Sequence, residues 1–456
     1  MTNISGRHLA RLVLDQYEKD DAYLNLALAR VLNQYNQVAR REKDFCSELV
    51  YGSARHLLKI DFILGRLLSR PLDSLKTPVK NILRLAIYQL LIRPEIPEHA
   101  VVHAAVAEIK KTKFAGLAGL VNGVLRNFLR SRDRIAFPER ETDPVGYLAL
   151  EYSHPQWLVE RWLKRYGPEA TERILKIDNQ QPPLTVRINQ NRTDVSAFKS
   201  ELTKLGIPWR PGLFLAEAIT FPELPCPLED FGPFRDGRIF VQDESSMLVA
   251  HLLDPRPGET IIDLCAAPGG KSTHLAELTA DQCRILSVDD HPHKVELIKE
   301  NAARLKLKSI EPVLGDARNF APENLPAADA VLVDAPCSGT GVLRRRVDAR
   351  YRRRPEDIPA LVGLQREILR QAARLVRPGG RLVYSTCTLE PEENQDQIKW
   401  FLENFSDYRI ESYREHLPSG IGSYLTEPES KWATLLPIPD GGDGFFMCRL
   451  NRVGPR

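Results

Sequence analysis

The sequence predicts a parallel α/β domain in its C-terminal half, preceded by an all-α domain and a small α+β segment. Three observations carry this. Between residues 8 and 132 apolar side chains recur at helical spacing, as in Leu9, Leu12, Val13 and Tyr17, with no alternating strand pattern. Proline and mixed charge then take over at Phe137-Pro138 and Asp143-Pro144. From residue 260 short apolar runs alternate with amphipathic stretches, the pattern of a parallel sheet with helices on both faces.

In order along the chain, residues 1–138 form the all-α domain, with amphipathic helices over 42–56, 78–92, 100–111 and 117–129. Pro71, Pro94 and Pro97 act as breakers between them. Residues 145–235 form the small α+β domain. It opens with a helix bearing Trp157, Trp162 and Tyr166 that ends near Gly167, followed by a strand over 184–188 and a helix over 195–205. Residues 240–452 form the α/β domain, with strands at 260–264, 284–288, 310–314, 330–334 and 381–385, helices at 294–305 and 361–375, and a closing strand at 444–450.

At 456 residues the chain is long enough for two or three domains, and 43% hydrophobic with 27% charged residues fits a soluble globular protein. The first ten residues hold no apolar run and nothing approaches the roughly 18 apolar residues of a membrane span, so a cytoplasmic protein without membrane contact is expected. The seven cysteines are scattered, with no Cys-x-x-Cys pair, so neither disulfides nor a metal site is expected. A monomer is expected. The net charge of +3 is too small to indicate a nucleic-acid partner by itself.

Local motifs say more. Cys265-Ala266-Ala267-Pro268-Gly269-Gly270-Lys271 follows the first strand of the α/β domain, where an open parallel sheet binds ligands. Its glycines admit close backbone approach, and the amides of the next helix favour an anionic group. The loop matches neither the dinucleotide fingerprint nor the phosphate loop. Asp289 ends the second strand, where a carboxylate can accept both hydrogen bonds of a ribose diol, with Asp290 as a competitor. Asp316 follows the third strand and can reach an adenine amine; ordinary strand-ending acids are the alternative for both.

Two further loops, Asp334-Ala-Pro-Cys337 and Ser385-Thr-Cys387, each place a cysteine after a strand. A single such thiol is usually a small buried hydrophobe. Two beside a ligand loop point to covalent methylation of a pyrimidine: a thiolate adding at carbon 6 of cytosine makes carbon 5 nucleophilic, and a group at N3 takes up the developing charge. Asp334 is such a group, and Lys271 is a cationic neighbour for the thiol if the first and fourth strands are adjacent.

These loops resemble the RNA 5-methylcytosine methyltransferase family, over about residues 240–450 and with four loops matching in order. The resemblance implies a Rossmann-like class I methyltransferase domain and S-adenosylmethionine held by Cys265 to Lys271, Asp289, Asp316 and Asp334. It implies further that Cys387 attacks carbon 6, Asp334 engages the N3 edge and Cys337 assists product release. The helical region resembles the NusB-like RNA-binding domain, and that pairing implies small-subunit (16S) ribosomal RNA as the substrate. Transfer RNA is the alternative substrate, and a non-catalytic RNA-binding assembly factor the alternative class. Arg344, Arg345, Arg346, Arg352 and Arg353 follow the Asp334 loop and are expected to seat the RNA backbone, a solvated helix face being the other reading. Lys110 to Lys113 and Arg126 to Arg134 make a weaker basic set.

Overall fold

A computed structural model describes residues 4–321 and 327–454, which divide into two compact units. One comprises Met1–Gln180 with Arg346–Arg352, and the other Gln181–Arg345 with Arg353–Arg456. Among the described residues no helix is long and apolar enough to cross a membrane.

The first unit is helical, as the periodicity predicts. Helices Arg40–Arg55, Thr77–Ile92, Glu98–Lys110 and Ala118–Ser131 lie within two residues of the expected boundaries. Their apolar stripes, with those of Gly6–Asp20 and Leu24–Gln34, close one core around Leu9, Val50, Leu83 and Leu125. The aromatic helix, Gln156–Asp178, is interrupted where expected, at Gly167 (φ 75°). Its residues fall within the unit Met1–Gln180. Just before this helix, Ser153 Oγ accepts from the amides of Leu58 and Lys59, and Glu151 pairs with Lys59 at 2.7 Å.

The second unit contains two sheets. The small antiparallel one is built from β1 (Leu184–Ile188), β2 (Arg210–Pro211), β3 (Ala218–Phe221) and β4 (Ile239–Val241), in the order β2-β3-β1-β4. Helix Val195–Lys204, capped by Asp194, packs Phe198 and Leu202 into its core. The large sheet holds β5 (Thr260–Asp263), β6 (Arg284–Asp289), β7 (Ile310–Leu314), β8 (Ala328–Asp334), β9 (Val376–Thr386), β10 (Tyr408–Glu411), β11 (Ala433–Leu435) and β12 (Phe445–Arg452). Its order is β10-β12-β9-β8-β5-β6-β7, with β11 on β12. The β9-β8-β5-β6-β7 pairings are parallel; β12, the expected closing strand, runs antiparallel to β9. Apolar cores cover both faces of this sheet, which is why neighbouring residues such as Ile261-Ile262, Ile285-Leu286 and Val331-Leu332-Val333 are apolar along its central strands.

Candidate active site

The chain leaves β5 for β6 on one side and returns at β8 on the other, so the direction of winding reverses between β5 and β8. Ligands bind outside the carboxyl ends of strands at such a point. There the 265–271 loop turns through Gly269 (φ 98°) into helix Gly270–Leu278. Gly270 allows close packing, since a Cβ there would meet the Phe240 ring at 3.3 Å.

Asp289 lies at the end of β6, largely covered, with its carboxylate accepting from the Ala267 amide at 3.3 Å and pairing with Lys294 at 3.1 Å. It therefore touches the 265–271 loop, whereas the neighbouring Asp290 is exposed and pairs with His291. Asp316, after β7, is engaged by Arg318 at 2.6 Å and remains partly exposed.

The catalytic candidates converge. Parallel pairing of β5 with β8 makes the first and fourth strands adjacent, and Lys271 Nζ lies 2.6 Å from Asp334 Oδ2. The recorded partner of the Lys271 ammonium is thus the Asp334 carboxylate rather than a thiol. Ser385 Oγ donates to the other oxygen, Oδ1, at 2.8 Å. The sulfurs of Cys337 and Cys387 are 3.5 Å apart. The hydrogen bond to Cys387, then burial, then the negative groups at Cys387, Glu393 and Asp334 hold the Cys337 thiol well above its ordinary range. Cys337 therefore keeps its proton at neutral pH. Burial also holds the Cys265 thiol high, which makes it an inert wall of the loop.

Below the loop, Asp263 accepts from Ser272 Oγ at 2.7 Å, and burial pushes its carboxyl up to about 7. Sequence reasoning missed this residue, along with Ser385 and the buried group Ser338, Thr388 and Glu393. Short polar side chains next to a cysteine carry no periodic signal that separates a buried network from a solvated turn.

The arginine cluster is not the exposed surface the sequence suggested. Arg344 is 1% exposed, donating to Asp443 and to the carbonyls of Gly441 (2.6 Å) and Ile438 (3.3 Å). Arg345 pairs with Asp443 and with Asp243 at 2.9 Å. Arg352 pairs with Asp21 at 3.0 Å, and Arg353 donates to the carbonyls of Ser338 (3.0 Å) and Cys337 (3.3 Å). Of the five, Arg346 alone is exposed. By contrast Lys110, Lys111, Lys113, Arg126 and Arg130 on the helical unit are all exposed.

Glu217, His251 and His274 bring three potential metal-ligand atoms within 4.8 Å. Glu217 is already hydrogen-bonded to His251 at 2.7 Å, and the Arg187 guanidinium, whose charge helps depress His274, opposes a further cation.

Comparison with known proteins agrees with this architecture. Residues 250–451 match the family model of the 16S rRNA methyltransferase RsmB/F, residues 5–130 the NusB family, and residues 154–229 the ferredoxin-like domain of RsmF/B-like methyltransferases. A Bacillus subtilis protein named probable ribosomal RNA small subunit methyltransferase B is 38% identical over 459 residues, covering 100% of both chains. Ribosomal RNA small subunit methyltransferase B of Escherichia coli is 35% identical over 428 residues, covering 93% of this chain and 94% of that one. The crystal structure of PH0851 superposes with a TM-score of 0.82 at 26% identity, covering 98% of this chain and 99% of that chain. A methyltransferase homologue from Pyrococcus horikoshii has a TM-score of 0.58 at 27% identity, covering 67% of this chain and 98% of that chain. With its switch-point loop, paired thiols and full-length relatives, the chain belongs to the RsmB/F family of 16S rRNA methyltransferases.

Proposed function

We propose that the protein transfers a methyl group from S-adenosylmethionine to carbon 5 of a cytosine in 16S ribosomal RNA, through a covalent bond between Cys387 and carbon 6. The observation that carries this reading is the 3.5 Å approach of Cys337 and Cys387 beside the Lys271–Asp334 pair, at the switch point of the sheet. Two thiols so close to a ligand loop have no packing role that one apolar side chain would not fill.

The residues present fit the donor. The covered Asp289 carboxylate, one strand away from the 265–271 loop and touching its Ala267 amide, suits a ribose diol. The 265–271 loop, Asp289 and Asp316 would hold the donor. When bound, S-adenosylmethionine supplies an electrophilic methyl group.

The chain's own residues divide the remaining work. The Thr-Cys loop makes Cys387 the attacking thiol, and the 3.5 Å contact with the Cys337 sulfur keeps the second thiol beside it. Lys271 and Ser385 fix both oxygens of Asp334, which orients that carboxylate toward the N3 edge of the base. Cys337, already in contact with the attacking sulfur, assists its departure from carbon 6 once carbon 5 has lost its proton. A cytosine paired in a helix has to leave the stack to reach these groups. The exposed basic residues of the helical unit, Arg346 among them, are the ones with charge available for phosphate contacts, the other four arginines being engaged by protein partners.

The test is nucleoside mass analysis of 16S ribosomal RNA incubated with labelled S-adenosylmethionine. Wild-type protein should yield labelled 5-methylcytidine, and Cys387→Ala none while still binding donor and RNA. Cys337→Ala should accumulate a protein–RNA adduct that survives a denaturing gel. Turnover by Cys387→Ala would overturn the nucleophile assignment, and label appearing only on transfer RNA would overturn the substrate.

A further inference from the structure

The two cysteines sit on separate loops, and a single buried side chain grips both. Glu393 is 0% exposed. Its Oε1 accepts from the Ser338 amide at 2.8 Å and from Gln365 Nε2 at 3.0 Å. Its Oε2 accepts from Ser338 Oγ and from Thr388 Oγ1 at 3.1 Å. Ser338 immediately follows Cys337, and Thr388 immediately follows Cys387. The two hydroxyls also touch each other, with Ser338 Oγ 2.6 Å from Thr388 Oγ1.

We propose that Glu393 is the positioning residue that sets the spacing of the Cys337 and Cys387 sulfurs, by tying the residue after each cysteine to one carboxylate. The proposal rests on the reading of Cys387 as nucleophile and Cys337 as its partner in release.

Several features favour this over simple packing. Four polar groups lie within hydrogen-bond reach of its two oxygens, which a carboxyl group with two oxygens is suited to bridge. Burying a carboxylate is costly, and among the described residues Glu393 has no ion-pair partner; only the hydrogen bonds compensate. An apolar residue would fill the space without that cost, so the donors it organises are the explanation that remains. Its own mooring is firm. Tyr384 of β9 donates to the Glu393 carbonyl at 2.7 Å, and Gln365 is itself held by Gln397 Nε2 at 2.9 Å while donating to the Pro336 carbonyl at 3.0 Å. The hub thus ties the Cys337 loop, from Pro336 to Ser338, to the strand that ends at Thr386, just before Cys387. Attack at carbon 6 and departure after loss of the carbon 5 proton involve adjacent ring atoms. The two sulfurs therefore need a fixed separation, and a misplacement of about 1 Å can cost on the order of a hundredfold in rate.

The test uses the full chain, a 16S ribosomal RNA transcript and S-adenosylmethionine. Glu393→Gln turns one acceptor oxygen into a donor facing two donors, and Thr388→Val removes one tether while keeping its shape. For both we expect kcat to fall tenfold or more for the first and several-fold for the second, with KM for RNA and donor within twofold. A covalent protein–RNA adduct should appear on denaturing gels where wild type shows none, because attack and release no longer stay in step. A structural role alone would lower Tm and activity together without adduct, and that result in both variants overturns the proposal. So does wild-type kcat without adduct at unchanged Tm. If Glu393→Gln fails to fold, Thr388→Val decides on the same readouts. Methylation by Cys387→Ala, or no adduct from Cys337→Ala, would instead show that the underlying chemistry is misassigned.

Discussion

Replacing Arg187 by leucine offers a quantitative test of how the small sheet supports the donor loop. Arg187, on β1, is 0% exposed and grips helix Gly270–Leu278 along its length. Its guanidinium makes a bidentate pair with Glu277, both contacts 2.8 Å, and donates to Thr273 Oγ1 and the Gly270 carbonyl, each at 3.0 Å. Removing one member of a buried pair leaves the other charged and unsolvated, at a cost of about 3–5 kcal/mol. Arg304, whose charge also acts on Glu277, favours the lower end of that range. For a unit of this size about 1 kcal/mol moves Tm by roughly 2–4 °C, so the lower end, about 3 kcal/mol, gives a drop of about 6–12 °C in a thermal scan. Burial already pushes the Glu277 carboxyl up and Arg187 opposes it; without Arg187 the folded-state pKa rises further. A raised acid destabilises more as pH climbs above its unfolded value, so the penalty should be larger at pH 8 than at pH 5. Glu277→Leu alone should cost a comparable amount, but the double variant should be more stable than either single one, since two apolar side chains leave no charge stranded. Purely additive losses in the double variant would refute the reasoning.

Gly341 should tolerate no side chain. A Cβ there would lie 2.4 Å from the Gly444 carbonyl oxygen and 3.0 Å from that of Cys387, both backbone atoms that cannot swing away, so Gly341→Ala should displace the Cys387 loop and lower kcat by about a hundredfold; single-turnover methylation checks this, and a near-normal rate would refute it. On the helical unit, burial would push the Glu108 carboxyl up, but hydrogen bonds from His8 (2.7 Å) and Arg11 (2.8 Å) outweigh it and hold the group down to about 2. A depressed acid stabilises above its unfolded value and loses that contribution as pH falls toward the folded one, so Glu108→Gln should cost about 3 kcal/mol at pH 7 and progressively less below pH 4.5 in urea unfolding.

The strands at 260–264 and 284–288 were legible because both faces of the sheet are covered, which places adjacent apolar residues in each, Ile261-Ile262 and Ile285-Leu286. The helices of the first unit were legible for the complementary reason, one buried stripe each. The arginines following Asp334 misled because charge in sequence says nothing about which acids fold against it. The carboxylates that bury Arg344 and Arg345 come from Asp443 and Asp243, on distant loops. Asp443 gives no sign in the sequence of being nearly enclosed, a position in which burial and the Asp243 charge push its carboxyl up to about 6 against the pull of the two arginines. Glu393 was hidden in the same way within Glu390-Pro-Glu-Glu-Asn394, an acidic run that reads as a solvated turn. The cysteine loops escaped this ambiguity because each followed a recognisable strand.

The meeting of those loops depends on strand register more than on the loops themselves. In the parallel β8–β9 pair Val331, Leu332 and Val333 stand opposite Leu382, Val383 and Tyr384, so Asp334 falls opposite Ser385, whose hydroxyl it binds. A slip of one residue would move the partner by about 3.3 Å and turn its side chains to the other face. That register is not inherited from the start of the pair. Ala328 stands opposite Val376 but Ala330 opposite Arg381, so β9 takes in extra residues at this point. The segment responsible is Pro378-Gly379-Gly380, where Gly379 has φ 77° and a Cβ on Gly380 would meet the Asp329 carbonyl oxygen at 2.7 Å. Carried through at the spacing of the Ala328–Val376 pair, Asp334 would face Leu382, and Cys387 would lie beyond reach of Cys337. Two glycines at the far end of the strand therefore determine that a hydroxyl faces the aspartate and that the second sulfur arrives beside the first.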